Sequence, residues 1–114
     1  MPRDVLVINP GSTSTKIAVY EDGVELFGEN ESITSDLASS FASVQAQAAY
    51  RETQIRSALA RRGYDPRRLS IVVGRGGLLK PLVGGIYRIG AAMLEDLATA
   101  RYGEHASNLG AFLA

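Results

Sequence analysis

Val5 to Tyr20 reads Val-Leu-Val-Ile-Asn-Pro-Gly-Ser-Thr-Ser-Thr-Lys-Ile-Ala-Val-Tyr, and the order of its parts decides the fold. Val5 to Ile8 is a run of β-branched and aliphatic residues too short for a helix, so it predicts a central strand. Asn9-Pro10-Gly11 ends that strand, because proline keeps the residue before it extended and brings no N–H of its own. Strand character returns at Ile17, Val19 and Tyr20, which makes Gly11-Ser12-Thr13-Ser14-Thr15 the turn between two antiparallel strands. Such a turn offers backbone donors free of bulky side chains, four hydroxyls and, in Lys16, a mobile cation at its exit, all of which suit phosphate oxygens. An ordinary polar hairpin has the same composition, and the stretch by itself supports both readings equally. It resembles a P-loop only superficially: Thr15 stands where that motif needs its second glycine, and Ile17-Ala18-Val19-Tyr20 continues as strand instead of helix.

Outward from this stretch, Glu21-Asp22-Gly23 is a turn signal that leads to a third strand at Val24-Glu25-Leu26-Phe27, giving an antiparallel meander. Ser35 or Asp36 can cap a helix whose apolar residues Leu37, Phe41, Val44, Ala48, Ile55 and Leu59 recur at spacings of three, four and seven. This predicts one long helix ended by Gly63, with Pro66 beyond, lying on the sheet as scaffold. Leu69-Ser70-Ile71-Val72-Val73 predicts a further strand that delivers the chain to Gly74-Arg75-Gly76-Gly77, and ligands collect at such carboxyl ends in sheets with crossover helices. The glycines let backbone approach a ligand, and Arg75 can grip a carboxylate or phosphate with two donors; a flexible turn with a solvent-facing arginine fits equally well. Leu78 to Ile89, with Pro81, Gly84 and Gly85, predicts a loop or short hairpin, and Met93, Leu94 and Leu97 predict a helix over Ala91 to Ala100. His105 is a lone histidine, for which a packing role is the simpler reading. Its place beside Ser107 and Asn108, just before the apolar tail Leu109 to Ala114, keeps a role in anion binding open, because helix starts favour anions. Tyr87, Tyr102 and Met93 read as core or pocket wall.

Composition sets the outer limits. A chain of 114 residues fits one small domain that can bury a core with little to spare. Lys+Arg 12 against Asp+Glu 12 leaves no basic field for nucleic acid, and the pairs Arg61-Arg62 and Arg67-Arg68 read as a solvated rim. The absence of cysteine excludes a disulfide framework, a thiolate zinc site and a cysteine nucleophile, and a single histidine excludes a histidine metal cluster. No apolar run approaches the ~18 residues of a membrane span and Met-Pro-Arg-Asp leads straight into a strand, so a soluble cytoplasmic protein without membrane association is expected.

Three separated stretches agree on one family. Val-Ile-Asn-Pro-Gly-Ser-Thr-Ser-Thr-Lys (7 to 16), Val-Val-Gly-Arg-Gly-Gly-Leu-Leu-Lys-Pro-Leu (72 to 82) with Gly-Gly-Ile-Tyr (84 to 87), and Tyr-Gly-Glu-His-Ala-Ser-Asn-Leu-Gly-Ala (102 to 111) resemble the butyrate kinases. These belong to the acetate kinase family within the actin-like ATPase superfamily, and the likeness covers essentially the whole chain. It implies an α/β, RNase H-like domain: a mixed sheet with three N-terminal antiparallel strands, incomplete at its C-terminus. It also implies transfer of the ATP γ-phosphoryl group, with Mg2+, to the carboxylate of a short-chain fatty acid. Asn9 then matches the asparagine near magnesium and the phosphates, Gly11, Ser12 and Ser14 the first phosphate loop, and Lys16 the lysine that ends it. Arg75 and His105 become the catalytic candidates, and Gly74, Arg75, Gly76 and Asn108 the substrate-binding ones. Phosphoryl transfer is mostly positioning and charge neutralisation, so this inventory fits the reaction.

Two departures shape the expectations. Acetate kinases place a substrate arginine just before Val-Val-His-Gly-Gly; aligned on Gly76-Gly77, Val72 falls at that arginine, Gly74 at the second valine and Arg75 at the histidine. Arg75 is therefore expected to supply the missing charge from another backbone position, and Gly74 to widen the acyl pocket. Family members are roughly three times this length by the two-domain logic of the fold. The resemblance implies that the missing part holds the catalytic aspartate, the acidic magnesium ligand, the adenosine site and the second phosphate loop, so residues 1–114 read as an N-terminal portion that is inactive alone, from an enzyme that is a homodimer or higher oligomer through its other domain. A noncatalytic phosphate-binding or interaction module is the alternative; a sugar or pantothenate kinase explains neither the Arg75 loop nor the His105 stretch.

Overall fold

The computed structural model describes residues 3–79 and 84–114. The predicted meander forms as β1 (Asp4–Pro10), β2 (Ser14–Glu21) and β3 (Val24–Ser32). Asp22 and Gly23 both have positive φ (49° and 83°), the conformation a two-residue hairpin turn needs to match strand twist, and Asp-Gly supplies it cheaply. After the helical segment the chain returns as β4 (Leu69–Gly74), parallel to β1, so the sheet has the order β3-β2-β1-β4 among the described residues. This is the α/β mixed sheet of the expected class, with β1 central. Residues 80–83, including Pro81, lie outside the described residues; on either side of them residues 75–79 and 84–90 form neither helix nor strand.

The period-two alternation of β1 and β2 puts Leu6, Ile8, Ile17 and Val19 on one face of the sheet, where Ile55, Ala58 and Leu59 of the main helix and Tyr64 cover them. Phe27, Leu69, Val72 and Leu113 pack around this core. On β1 the other face carries Val5, Val7 and Asn9, which stay half-exposed. One-sided burial explains why the run Val5–Ile8, wholly apolar in sequence, alternates in the fold.

The single long helix expected from Ser35 or Asp36 to Gly63 is instead two: α1 (Ser35–Ser40) and α2 (Ala48–Arg61), with a 3-10 turn at Gln45–Gln47 between them. The cap is also one residue earlier, at Thr34, whose hydroxyl accepts the Leu37 N–H at 3.1 Å. Serines make the break. Ser40 Oγ donates to the Leu37 carbonyl at 2.6 Å, Phe41 turns extended, and Ser43 Oγ accepts the Ala46 N–H at 3.2 Å. Serine side chains compete with the helical ladder in this way, and here they win because Glu104 reaches back to accept the Val44 N–H at 2.9 Å. The end of α2 is as expected: Gly63 has φ 65°, a left-handed conformation in which it donates to the Ala60 carbonyl.

Two further helices follow: α3 (Ala91–Ala98), and α4 (Gly110–Leu113), which is preceded by a 3-10 turn at Ala106–Leu109. Leu97 is buried, whereas Tyr87 and Tyr102 are substantially exposed, so Tyr102 is a surface residue stacked under Arg101 instead of core. The arginine pairs are exposed as expected but not idle. Arg61 and Arg62 join Glu31 and Glu29 of β3, and such pairs put charge along an edge strand that must not recruit another.

At the end of the sheet away from Pro10, Asp4 is buried and accepts the Tyr64 hydroxyl at 2.5 Å, with Arg68 at 3.3 Å. Burial, and then the hydrogen bond to Asp4, push the Tyr64 phenol up to about 12. Its folded-state value lies above the ordinary one near 10, so its contribution is complete below pH 10 and is lost as pH rises through 12. Tyr64→Phe should destabilise the fold by about 1–3 kcal/mol, since it strips a buried carboxylate of a donor. Urea unfolding at neutral pH checks the magnitude, and the gap between the two proteins should narrow as the pH is raised from 10 to 12.

Candidate functional site

The sheet brings the polar ends of three chain passes together. Asn9 and Lys16 are paired across β1 and β2, and Pro10 pairs with Thr15, so the two strands close on the turn from Gly11 to Ser14. Gly11 N–H donates to the Ser14 carbonyl at 2.7 Å, which seals that turn. Because β4 runs parallel to β1, its carboxyl end arrives at the same edge, and Arg75 N–H donates to the Ile8 carbonyl at 2.8 Å. Asn9, Pro10, Gly11, Ser14 and Lys16 then line one polar cleft of about 380 Å³ with Arg75, Gly76, His105 and Ser107.

Five of the expected side chains therefore converge: Asn9, Ser14, Lys16, Arg75 and His105. Neither Lys16 nor Arg75 forms an ion pair with a described residue, and no carboxylate lines the cleft among the described residues. His105 is oriented by its own loop. Its Nδ1 accepts the Ser107 backbone N–H at 3.0 Å and lies 2.9 Å from the Ser107 hydroxyl. A nitrogen that accepts a backbone N–H carries no proton, so the ring proton sits on Nε2 and that nitrogen is left as a donor.

Other expected residues are placed differently. Ser12 is exposed at the turn tip and does not line the cleft. Gly11 lines it, but its N–H is spent on Ser14. Thr15 is fully buried and turns its hydroxyl away from the cleft side, so the turn presents fewer than the four hydroxyls counted from sequence. Asn108 is buried and lines neither cavity: its Oδ1 accepts the Leu78 N–H at 2.7 Å and its Nδ2 donates to the Gly103 carbonyl at 2.9 Å. Both ends of the amide are thus used to fasten one loop to another.

A second cavity, about 520 Å³ and mainly apolar, adjoins the cleft. Val72, Tyr87, Ile89, Met93 and Leu97 contribute to its wall, and Arg75 and Gly76 line both spaces. Gly74 contributes backbone to this wall but does not enlarge it. A Cβ at Gly74 would sit 2.1 Å from the Gly110 carbonyl oxygen, and a Cβ at Gly110 would sit 2.1 Å from that of Arg75. The space freed by the glycine is filled by α4. Gly77 serves likewise, since its Cβ would meet Asn108 at 2.6 Å, while Gly76 has open space.

Three contributors were not singled out from sequence. In sequence Ser107 is only a neighbour of His105, and Glu104 carries no local signal because its partner Val44 is remote. Arg51 had a signal: it lies three residues after Ala48 and four before Ile55, on the apolar stripe of α2, where a charge is out of place unless it is bonded. It is fully buried, donates to Gln47 Oε1 from Nε and Nη2, and donates from Nη1 to the Ser14 carbonyl (3.1 Å) and Thr15 Oγ1 (3.0 Å).

The glycine contacts are testable as a contrast. Gly74→Ala should lower stability by about 1–3 kcal/mol through backbone overlap, and Gly76→Ala should change it by less than about 0.5 kcal/mol. Thermal unfolding of the two variants beside the parent decides it.

No protein-family model matches the chain. Over 114 residues it is 50% identical to a probable butyrate kinase of Listeria monocytogenes, 52% identical to one of Listeria welshimeri and 45% identical to one of Clostridium botulinum. Each alignment takes 100% of this chain and 32% of the relative, so the chain spans about a third of the length of the curated relatives it matches. With about half of its residues shared from end to end, the chain is similar over its whole length to about a third of these probable butyrate kinases.

Proposed function

We propose that this chain carries the first phosphate loop and the acceptor-binding arginine of an enzyme that moves the ATP γ-phosphoryl group to a short-chain carboxylate. The observation that supports it is the pairing of two adjoining cavities of opposite character, a cationic polar cleft and an apolar pocket, with Arg75 and Gly76 on the border. In this reading the acyl chain occupies the apolar pocket. Arg75 turns the carboxylate towards the cleft, where Lys16, Ser14 and the Nε2–H of His105 hold phosphate oxygens. A carboxylate oxygen attacks the γ-phosphorus, the bond from that phosphorus to the bridging oxygen breaks, and ADP leaves with the electron pair. The protein's part is alignment and neutralisation of charge, because little covalent chemistry is left for side chains to do.

Magnesium suits this donor set in one way. Asn9 offers a single hard oxygen, and the described residues hold no cluster of three metal-binding side chains. A Mg2+ ion that keeps waters and phosphate oxygens as most of its ligands can use one amide oxygen, whereas a bare ion cannot be held by it. When bound, the ion would supply charge neutralisation to the phosphates. Asn9 would hold that ion through its one amide oxygen, and Lys16 would neutralise charge that the ion leaves.

The second reading, a phosphate-binding module without catalysis, draws on the absence of a carboxylate from the cleft among the described residues. Both readings require phosphate to bind. A cytoplasmic location and assembly into a homodimer through residues outside this chain fit the first; among the described residues no helix is long and apolar enough to cross a membrane.

Isothermal titration of the 114-residue chain with inorganic tripolyphosphate should show binding that Lys16→Ala weakens by about tenfold or more, and titration with MgCl2 alone should show none. Absence of tripolyphosphate binding, or indifference to Lys16→Ala, would overturn both readings. In a full-length enzyme carrying these residues, Arg75→Lys should raise the KM for the carboxylic acid by about tenfold while leaving the KM for ATP within about twofold, because lysine cannot supply two parallel donors.

A further inference from the structure

The phosphate loop is held from behind by a buried cation that no expectation from sequence included. We propose that Arg51 is a positioning residue of this loop: from the far side of the turn it fixes Ser14 and Thr15 in the shape that receives phosphate, and it lends the site a desolvated positive charge. The inference rests on the phosphate-binding reading of the cleft.

The geometry makes Arg51 specific to the loop. The Ser14 carbonyl takes two donors at once, the Gly11 N–H within the turn and Arg51 Nη1 from α2. Ser14 also lines the cleft, so a single residue connects the guanidinium with the ligand space. Thr15, next in line, has its hydroxyl bound to the same Nη1 and is fully buried. The remaining donors are occupied by Gln47 Oε1, which braces the guanidinium within its own helix. An arginine used only for packing has no need to grip the one turn whose other face forms the cleft.

Charge gives the second part of the argument. Every acceptor around Arg51 is a neutral oxygen, and no carboxylate of a described residue pairs with it. Desolvation by burial lowers its pKa. A buried charge in such a setting is costly to keep, and an anion bound across one layer of backbone repays it in a medium of low dielectric. Lys16 answers the same anion from the solvent side, where it is exposed and screened. The two cations would thus act on the phosphate from opposite sides, one mobile and one fixed.

Thr15→Val is the main test, because it is nearly isosteric, leaves Arg51 in place and removes one loop acceptor. Arg51→Met removes charge and donors, Arg51→Lys restores charge without the fork, and Ile55→Val is a stability control on the same buried face. Tripolyphosphate titration of the folded proteins should show affinity reduced by about threefold or more in Thr15→Val and about tenfold or more in Arg51→Met. Arg51→Lys should fall between Arg51→Met and the parent, and Ile55→Val should stay within about twofold. Parent-like affinity in Thr15→Val, or an equal loss in Ile55→Val, overturns the proposal; if Arg51→Met fails to fold, Thr15→Val decides. Amide hydrogen exchange of the ligand-free proteins at Ser12 to Lys16 provides a readout independent of binding. It should accelerate in Thr15→Val and not in Ile55→Val, and unchanged exchange in Thr15→Val overturns the positioning role. If the parent itself binds no tripolyphosphate, the phosphate reading falls, and the exchange data alone then uphold or overturn the mechanical role of Arg51.

Discussion

The parallel pairing of β1 with β4 is the constraint on which the rest depends. In a parallel pair both carboxyl ends point the same way, so the loop after Pro10 and the loop after Gly74 must share one edge of the sheet. The register Leu6 to Val72 and Ile8 to Gly74 brings them level, and the bond from Arg75 N–H to the Ile8 carbonyl carries the pairing one residue beyond the strand. β2 begins at that same edge because it is antiparallel to β1, which adds Ser14 and Lys16. One pairing therefore assembles a site from segments that are remote in sequence. The apolar residues of the sheet's inner face hold it there by packing against Ile55, Ala58 and Leu59.

The last contributor arrives by a different device. His105 belongs to the segment that ends in α4, and this segment docks by contact of backbone on backbone at Gly74 and Gly110. Neither residue can carry a Cβ there. Asn108 completes the dock by spending both ends of its amide on Leu78 and Gly103, and Glu104 ties the segment to the break between α1 and α2. The chain after that break carries Gln47, which braces Arg51, and Arg51 bonds to the Ser14 carbonyl of the turn after β1. The irregular part of the helical region thus connects the His105 loop to the Ser14 turn, and its irregularity follows from that task.

What sequence made legible was whatever depends on neighbours along the chain. The apolar run of β1, the Asp22-Gly23 hairpin, the arrest of β4 at Gly74 and the helix end at Gly63 are all local choices of backbone, and each appears where it was expected. The break after Ser40 was hidden because the apolar spacing continues across it, while the partner that stabilises it, Glu104, lies far along the chain. Arg51 is hidden because a stripe is read from its apolar members, although the charged exception on the stripe carries the information. A place in a motif does not state whether the Asn108 amide is free or already bonded, nor whether the Ser12 hydroxyl faces the cleft or the solvent. Gly74 shows the same ambiguity: a glycine can open space for a ligand or admit another backbone, and here the backbone of Gly110 is in that space.

Charge, more than shape, separates the two adjoining cavities. The polar cleft holds Lys16 and Arg75 with no acid beside them among the described residues, so its field favours an anion and disfavours a bare divalent cation. The apolar cavity receives a hydrocarbon without penalty, yet it shares Arg75 and Gly76 with the cleft. A molecule with an apolar chain and an anionic head therefore satisfies both spaces only in one orientation, with its head at the border. Under the proposed function, that head is the nucleophile and the cleft holds the phosphate it attacks. Orientation would follow from where the cations stand, and those cations stand at one edge because β1 and β4 run the same way.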